Sequence, residues 1–290
     1  MINTRTMWLF TLPSGLLLAV ALLWPFGYAV YLSLMSYNIG ATASTFIGLG
    51  NYIDLLGEHR FWSSLRTTLT IAFWALSLEM GLGLLLALII YRLVRGARTF
   101  IILLFLPHIV TPVVAALFLK WMFVSNWGLI DSTVLSLGLQ PPDWLGDPFW
   151  AKVTIVLSDA WVSTPLVMLI LYAALQQVDL SQIEAAKIDG AKSRQIVAYV
   201  MLPSIAPMIV FVASVRLMDM FRSFDLIYVL TGGGPGTATE TITMLTYSLA
   251  FRSLDVGKAS ALGVITLLVV LAMVSAIVAF LPRAIGRSKS

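Results

Sequence analysis

The stretch that decides the fold is Ala259 to Leu281, which reads ASALGVITLLVVLAMVSAIVAFL and contains no charged residue. A helix that crosses the roughly 30 Å hydrocarbon core of a bilayer needs about 20 predominantly apolar residues, and this stretch is long enough. Backbone N–H and C=O groups in lipid must be hydrogen-bonded within the protein, so we predict that the stretch is a membrane-spanning helix.

Five further stretches have a similar length and apolar character. They run approximately from Leu9 to Leu34, Arg66 to Tyr91, Thr99 to Phe123, Ala151 to Leu175 and Ser204 to Leu230. The sequence therefore predicts an all-α polytopic membrane protein with six transmembrane helices.

The first stretch follows Arg5 and could instead be a signal peptide. It runs beyond the roughly 7 to 15 apolar residues typical of a signal peptide and continues through Pro25 and Tyr28. The Ala-Thr-Ala sequence at 41–43 lies too far beyond the apolar core to serve as a cleavage site. We expect this helix to be retained.

The composition agrees with a membrane protein. Charged residues make up 11% of the 290 residues and apolar ones 59%, whereas soluble proteins have roughly 25% and about 45 to 50%. The absence of cysteine excludes a disulfide scaffold, and the two separate histidines, His59 and His108, leave little for a metal site. Basic residues flank the apolar spans and form no single patch, so we do not expect nucleic acid as a partner.

Lys and Arg residues are distributed unevenly between two sets of loops. The set that comprises both termini and the second and fourth loops contains ten, and the other set contains at most six. The ten are Arg5, Arg92, Arg95, Arg98, Lys187, Lys192, Arg194, Arg283, Arg287 and Lys289. Cytoplasmic loops carry the excess of Lys and Arg, so we expect a multi-pass protein of the cytoplasmic (inner) membrane with both termini in the cytoplasm. The loop at 126–150, with three aspartates and no Lys or Arg, is then external.

The loop between the fourth and fifth spans has a helical sequence of its own. Ser181 followed by Glu184 has the spacing of a capping box, which predicts a helix that begins near Gln182. We expect Gly190 to end this helix in the left-handed conformation. A second helix should then run from 191 to 202, with Pro203 in the first turn of the fifth span.

The first of these loop helices combines small apolar and charged side chains. Its apolar residues Ile183, Ala186 and Ile188 lie among charged ones, as on a surface that docks on another protein. An ordinary amphipathic helix on the lipid headgroups is an equally good interpretation from local physics alone.

The spacing of this loop resembles the "EAA" motif of permease subunits of binding-protein-dependent ABC importers. The matching residues are Glu184, Ala185, Ala186, Gly190, Val200, Leu202 and Pro203, of which Val200 is commonly Ile in the family. The resemblance implies the type I ABC importer permease fold. It also implies an ATPase-coupling site formed by Glu184, Ala185, Ala186, Asp189, Gly190, Leu202 and Pro203.

Softer matches place the chain in the carbohydrate uptake branch, the maltose-permease-like proteins. The segment from Phe224 to Pro235 is similar to the end of the fifth helix and the following outer turn in that branch. Prolines at 107, 112 and 165 and the opening Trp24-Pro25 are also similar. The resemblance implies a permease that moves a sugar or polyol by alternating access, and a charged glycerol- or sugar-derived anion is the alternative solute.

The resemblance also implies a division of the chain and a set of partners. Residues 1–64 would hold the first helix and an outer loop, 65–282 the five-helix core with a coupling loop at 176–203, and 283–290 a cytoplasmic tail. The partners would be a second permease subunit, two ATPase subunits that bind ATP and magnesium, an extracytoplasmic solute-binding protein and membrane lipid. The chain itself would bind no cofactor or metal.

The fifth span carries charges of alternating sign at steps of three residues, Arg216, Asp219, Arg222 and Asp225. Residues three apart are neighbours on a helix, so these charges can form a ladder. They either line a solute pathway or form ion pairs that stabilise the fold. The candidate pathway residues are Arg216, Asp219, Arg222, Phe224, Asp225, Tyr228 and Trp161. We expect Glu79 and Asp159 to pair across helices or with the partner subunit.

No segment resembles a nucleotide site or a catalytic centre. The glycine-rich run 232–237 has no Lys before its Thr, and Pro235 lacks an N–H, so a tight turn is the better interpretation than a phosphate loop. We expect no catalytic residues, since no nucleophile, base or metal ligands cluster near one face. A proton-coupled secondary carrier with Glu79 and Asp159 as its relay is the alternative from a different class.

Overall fold

The structure is a computed structural model that describes residues 4–40, 44–93 and 95–286. The Ala-Thr-Ala sequence at 41–43 and the C-terminal charges Arg287 and Lys289 lie outside these residues, as do the side chains of Arg5 and Arg283.

Within the described residues the chain forms thirteen α-helices, in agreement with the predicted all-α fold, and one short two-stranded sheet that the sequence did not predict. The helices are α1 Thr4–Ser33, α2 Gly50–Gly57, α3 His59–Tyr91, α4 Ala97–Ile109, α5 Pro112–Met122, α6 Leu129–Ser136, α7 Pro148–Leu175, α8 Leu180–Ile188, α9 Ser193–Ile196, α10 Leu202–Arg222, α11 Asp225–Leu230, α12 Ile242–Tyr247 and α13 Val256–Gly286. The strands β1 Met35–Ser36 and β2 Thr45–Phe46 pair antiparallel. Two π-helical segments occupy Val197–Met201 and Ser248–Arg252.

Five helical segments of the described chain are long and apolar enough to cross a membrane, or six spans if α4 and α5 are counted as one. The axes of α4 and α5 differ by 92°, so the predicted span from Thr99 to Phe123 is not one continuous helix. Pro112 explains the break, because it lacks an N–H and its ring disfavours helical geometry in the preceding residue. Thr111 accordingly adopts an extended conformation, with φ −61° and ψ 142°.

The fifth span differs from its predicted limits at both ends. It begins at Ser193, because α9, a π-helical segment and α10 form one continuous helix to Arg222. Pro203 has no N–H to donate, and just before it the Leu202 N–H bonds five residues back to Val197 O. At the other end Ser223 is extended, with φ −65° and ψ 107°, so the expectation of a single helix to Leu230 is also wrong.

The chain divides into two compact units, one formed by 1–62 and 245–268 and the other by 63–244 and 269–290. The core of the second unit surrounds α7, where Val167, Met168 and Leu171 are fully buried. Gly83 on α3 lets the two backbones approach closely, because a Cβ there would lie 2.7 Å from Val167 Cγ1. Membrane helices pack through such small residues, since lipid provides no hydrophobic force to drive helices together.

The loop at 126–150 is anchored by two aspartates. Asp131 is buried and accepts hydrogen bonds from the Asn126 N–H at 2.7 Å and from Trp144 Nε1 at 3.2 Å. Asp147 caps α7 and accepts from two backbone N–H groups of its first turn at 2.8 and 3.0 Å. These contacts fix the loop and the start of α7.

Candidate functional site

The segment between α7 and α10, which contains α8 and α9, forms an exposed helix–turn–helix element. Helix α8 ends at Gly190, which has φ +79° as predicted. The Gly190 N–H donates to Lys187 O at 3.0 Å and the Ala191 N–H to Ala186 O at 2.9 Å. These two bonds make a Schellman motif, which places a left-handed residue, here glycine, just after the helix.

The start of α8 differs from the capping box that the sequence predicts. Asp179 is the N-cap, and its carboxylate accepts the Ser181 N–H at 2.9 Å. This hydrogen bond to the ionised form lowers the pKa of Asp179 below its ordinary value. The helix therefore starts two residues earlier than expected, because the aspartate already satisfies an N–H group of the first turn.

One face of α8 packs against the core, and the opposite face is exposed. Ile183 is buried and belongs to the apolar cluster around α7. The expectation that it forms part of a docking surface is therefore wrong. Glu184, Asp189 and Gly190 are exposed, and Ile188 has 86% of its surface exposed. Leu202 and Pro203, the other end of the predicted coupling site, are half-buried in the continuous helix that follows.

A second feature is a network of buried charges that joins three helices. Arg216 on α10 donates through Nε to Glu79 Oε2 on α3 at 2.7 Å and through Nη2 to Asp159 Oδ2 on α7 at 3.1 Å. Its Nη1 lies 3.3 Å from Asp219 Oδ2, one turn along α10. Glu79 is fully buried and Arg216 nearly so, whereas the Asp219 side chain is 44% exposed.

The predicted charge ladder extends over only its first step. Asp225 lies beyond the break at Ser223 and is on a different helix from Arg222. Among the described residues neither Arg222 nor Asp225 has a salt-bridge partner. Arg222 lies in the last turn of α10 and Asp225 in the first turn of α11, where the helix dipoles favour a positive and a negative charge respectively.

These charges border a cavity of about 330 Å³. It is lined by His108, Pro112, Asp159, Val162, Ser163, Arg216, Asp219, Arg222, Ser223, Phe224, Asp225 and Leu226. Five of the seven candidate pathway residues therefore come together. Tyr228 stacks on Phe224 at 5.0 Å between ring centroids without lining the cavity, and Trp161 instead stacks on Phe118 at 6.4 Å.

His108 is a wall of this cavity that the sequence did not predict. Its Nδ1 lies 3.0 Å from the Val162 carbonyl oxygen on α7. The position of His108 depends on the bend at Pro112, and nothing in the sequence distinguishes this proline from those through which a helix continues.

Comparison with known proteins identifies the family. The family described as "Binding-protein-dependent transport system inner membrane component" matches residues 80–287. The chain belongs to this family. It is thus a permease, a multi-pass inner-membrane subunit of an ABC importer that works with a binding protein, and it is not an enzyme, because ATP hydrolysis lies in separate subunits.

Two relatives illustrate the range of this permease family. The trehalose/maltose transport system permease protein MalF of Thermococcus litoralis is 36% identical over 226 residues, which cover 78% of this chain and 76% of the relative. The sn-glycerol-3-phosphate transport system permease protein UgpA of Agrobacterium fabrum is 31% identical over 267 residues, with 92% and 91% covered.

A solved structure has the same fold as this permease. A chain from the crystal structure of a bacterial alginate ABC transporter, in complex with its alginate pentasaccharide-bound periplasmic protein, aligns with a TM-score of 0.82. The alignment covers 94% of this chain and 93% of that chain at 21% identity. The predicted type I importer permease fold is confirmed.

Proposed function

We propose that this permease moves a sugar or polyol across the inner membrane by alternating access, with both termini in the cytoplasm. The exposed turn at the end of α8 is the observation that carries the proposal. It presents Glu184, Ala185 and Gly190 outside the packed helices, while Ile183 and Ala186 pack the same helix against the core.

The turn is suited to transmit movement from an ATPase subunit. ATP binding by two separate ATPase subunits, with magnesium, would draw them together and move each docked α8. Because Ile183 packs in the cluster with Leu171 and Leu175 of α7, a displacement of α8 reaches a membrane-spanning helix directly. Residues 176–203 act as the coupling loop of a core formed by 65–282, and a second permease subunit supplies the matching half.

The cavity between α4, α5, α7 and α10 is our candidate for the solute pathway. Carboxylates accept hydrogen bonds from sugar hydroxyls and guanidinium groups donate to them, so a wall of both types suits a neutral polyhydroxylated solute. The stacked pair Phe224 and Tyr228 adds an apolar surface beside the polar wall.

The charges of the cavity decide between the two solute classes. Three carboxylates and two guanidinium groups line it, and Arg216 is already shared by the buried Glu79 and by Asp159. An anion would therefore meet a net negative wall, and like charges repel strongly where water is scarce. This favours a neutral sugar or polyol over a glycerol- or sugar-derived anion.

Co-purification tests the assignment of partners. A tagged chain solubilised in mild detergent should carry with it a second permease and an ATPase, identified by mass spectrometry, and the complex should hydrolyse ATP. Glu184→Lys should reduce recovery of the ATPase, whereas Gln182→Lys, an exposed change on the same helix, should not. A lone polypeptide without ATPase activity would contradict the proposal.

Uptake into vesicles tests the solute class. The reconstituted complex with its binding protein should transport a labelled disaccharide such as trehalose or maltose into the vesicle. This uptake should require ATP on the side of the vesicle membrane that corresponds to the cytoplasm. Uptake of sn-glycerol 3-phosphate and not of the sugars would instead support the anion alternative and refute the charge argument.

A further inference from the structure

Helix α2 has one packed face and an opposite face that is apolar and exposed. Asn51 and Leu55 are buried, whereas Leu49, Ile53 and Leu56 are 64%, 70% and 47% exposed. The exposed residues are spaced by four and three positions, so they lie on one side of the helix. An apolar stripe of this kind normally faces another apolar phase.

The packed face of α2 ties the helix to the end of a membrane span. The Asn51 side-chain amide donates to Ser33 O at 2.8 Å and to Met35 O at 2.9 Å. A further hydrogen bond of 2.7 Å joins the hydroxyls of Ser33 and Tyr52. Ser33 is the last residue of α1, so α2 is attached directly to the point where α1 ends.

The other end of α2 leads at once into the next span. Only Glu58 separates it from α3, which begins at His59. Both α1 and α3 are long and apolar enough to cross the membrane. Because hydrogen bonds hold α2 to the end of α1 and a single residue joins it to α3, α2 lies next to the ends of two candidate membrane spans.

Two carbonyl groups at the C-terminal end of α2 are paired with protein groups. The last carbonyl groups of a helix have no partner inside it, yet Leu55 O accepts the Glu58 N–H at 3.1 Å and Leu56 O accepts Trp62 Nε1 at 2.8 Å. The Trp62 ring is 53% exposed, and tryptophan is enriched at the headgroup level of bilayers. Internal pairing of this kind is needed where the surroundings hold little water.

A lysine offsets part of the negative charge of this segment. Lys258 Nζ lies 2.9 Å from Glu58 Oε1 and 3.6 Å from Asp54 Oδ2. One ammonium group beside two carboxylates lowers the net negative charge next to the apolar stripe, which weakens the repulsion from a leaflet that contains anionic phospholipid.

We propose that α2 lies in the plane of the membrane, with Leu49, Ile53 and Leu56 inserted into the acyl boundary of the leaflet where α1 ends and α3 begins. By the distribution of Lys and Arg this is the extracytoplasmic leaflet. Amphipathic helices at such a boundary bury their apolar face by about 5 to 10 Å. The lipid surface thus holds the loop between the first two spans in a fixed orientation.

Site-directed spin labelling tests this proposal, and the chain contains no cysteine that would interfere. Ile53→Cys and Leu56→Cys are labelled with a nitroxide in the assembled transporter, with any reactive cysteines of the partner subunits replaced. Asp54→Cys is the matched control, because Asp54 is exposed on the same helix and Lys258 keeps Glu58 as its partner. The complex is placed in vesicles of phosphatidylethanolamine and phosphatidylglycerol.

The readout is the accessibility of each nitroxide to oxygen, which concentrates in lipid, and to a water-soluble nickel chelate. We expect the ratio of oxygen to nickel accessibility to be several-fold higher at positions 53 and 56 than at 54. Equal nickel accessibility at 53 and 54 would mean that the face is in water and would overturn the proposal. Exclusion of both reagents at 53 and 56 would also overturn it, since it would place the binding protein or the second permease on this face.

Discussion

Replacement of Arg216 by methionine should strongly destabilise the protein, because the change leaves a fully buried carboxylate without its cation. Glu79 has no exposed surface and lies next to Asp159, which is also held by Arg216. Removing one partner of a buried ion pair costs about 3 to 5 kcal/mol. We expect Arg216→Met to fall at the upper end of this range, since two carboxylates lose the same guanidinium group.

The other members of the network should respond less, in a defined order. Glu79→Leu leaves Arg216 with Asp159 at 3.1 Å and Asp219 at 3.3 Å, so only its charged hydrogen bonds are lost, which are worth about 1.5 to 3 kcal/mol. Asp219→Asn should cost less than about 1 kcal/mol, because a half-exposed pair is screened by solvent. The double change Glu79→Leu with Arg216→Met should be more stable than Arg216→Met alone, since it removes the uncompensated charge.

These free energies of unfolding can be compared by titrating the purified chain with a denaturing detergent and following tryptophan fluorescence. The double-mutant cycle then gives the coupling between Glu79 and Arg216 directly. The reasoning is refuted if Arg216→Met and Asp219→Asn have the same effect, or if the double change is no more stable than Arg216→Met.

Three further predictions concern the coupling loop and the helix packing. The Gly190→Val variant should insert normally but lose uptake, because a β-branched residue at φ +79° costs roughly 1 to 2 kcal/mol. Immunoblots measure insertion and transport assays measure uptake. As the control, Gly190→Asn should retain more activity. Gly83→Ile should reduce stability by about 1 to 3 kcal/mol through overpacking, whereas thermal unfolding of Gly81→Ile should be nearly unchanged, since no atom lies within 4 Å of a Cβ there. Asp179→Ala should speed amide hydrogen exchange in α8, but Ser181→Ala should not. Because the pKa of Asp179 is lowered, its cap is complete above the ordinary aspartate value and is lost as the pH falls through the lowered one.

The features that sequence predicted well are those that depend on neighbouring residues in the chain. The apolar spans follow from composition over about 20 residues. The conformation of Gly190 follows from its position after a helix, because an L side chain is strained there. The predicted start of α8 is wrong by two residues, since Asp179 and Ser181 are both good capping residues and lie only two positions apart.

The features that sequence did not predict depend on tertiary structure. Proline is tolerated within membrane helices when neighbours satisfy the backbone groups that it frees, so Pro107, Pro112 and Pro165 look alike in the sequence. In the structure α7 continues through Pro165 and α4 through Pro107, whereas the helix breaks at Pro112. No local rule identifies which proline ends a helix.

The two unpredicted breaks explain where the cavity lies. Irregular backbone at membrane depth is tolerated only if it is buried in protein or lines a polar cavity, and discontinuous helices are a common way to build a solute site. The break at Thr111 and the break at Ser223 both border the same cavity, through Pro112 and through Ser223 itself. Arg222 and Asp225 flank the second break at helix ends that favour their charges. A continuous fifth helix would have placed these two side chains one above the other as a closed ion pair, so the break at Ser223 is what separates them on the wall of the cavity.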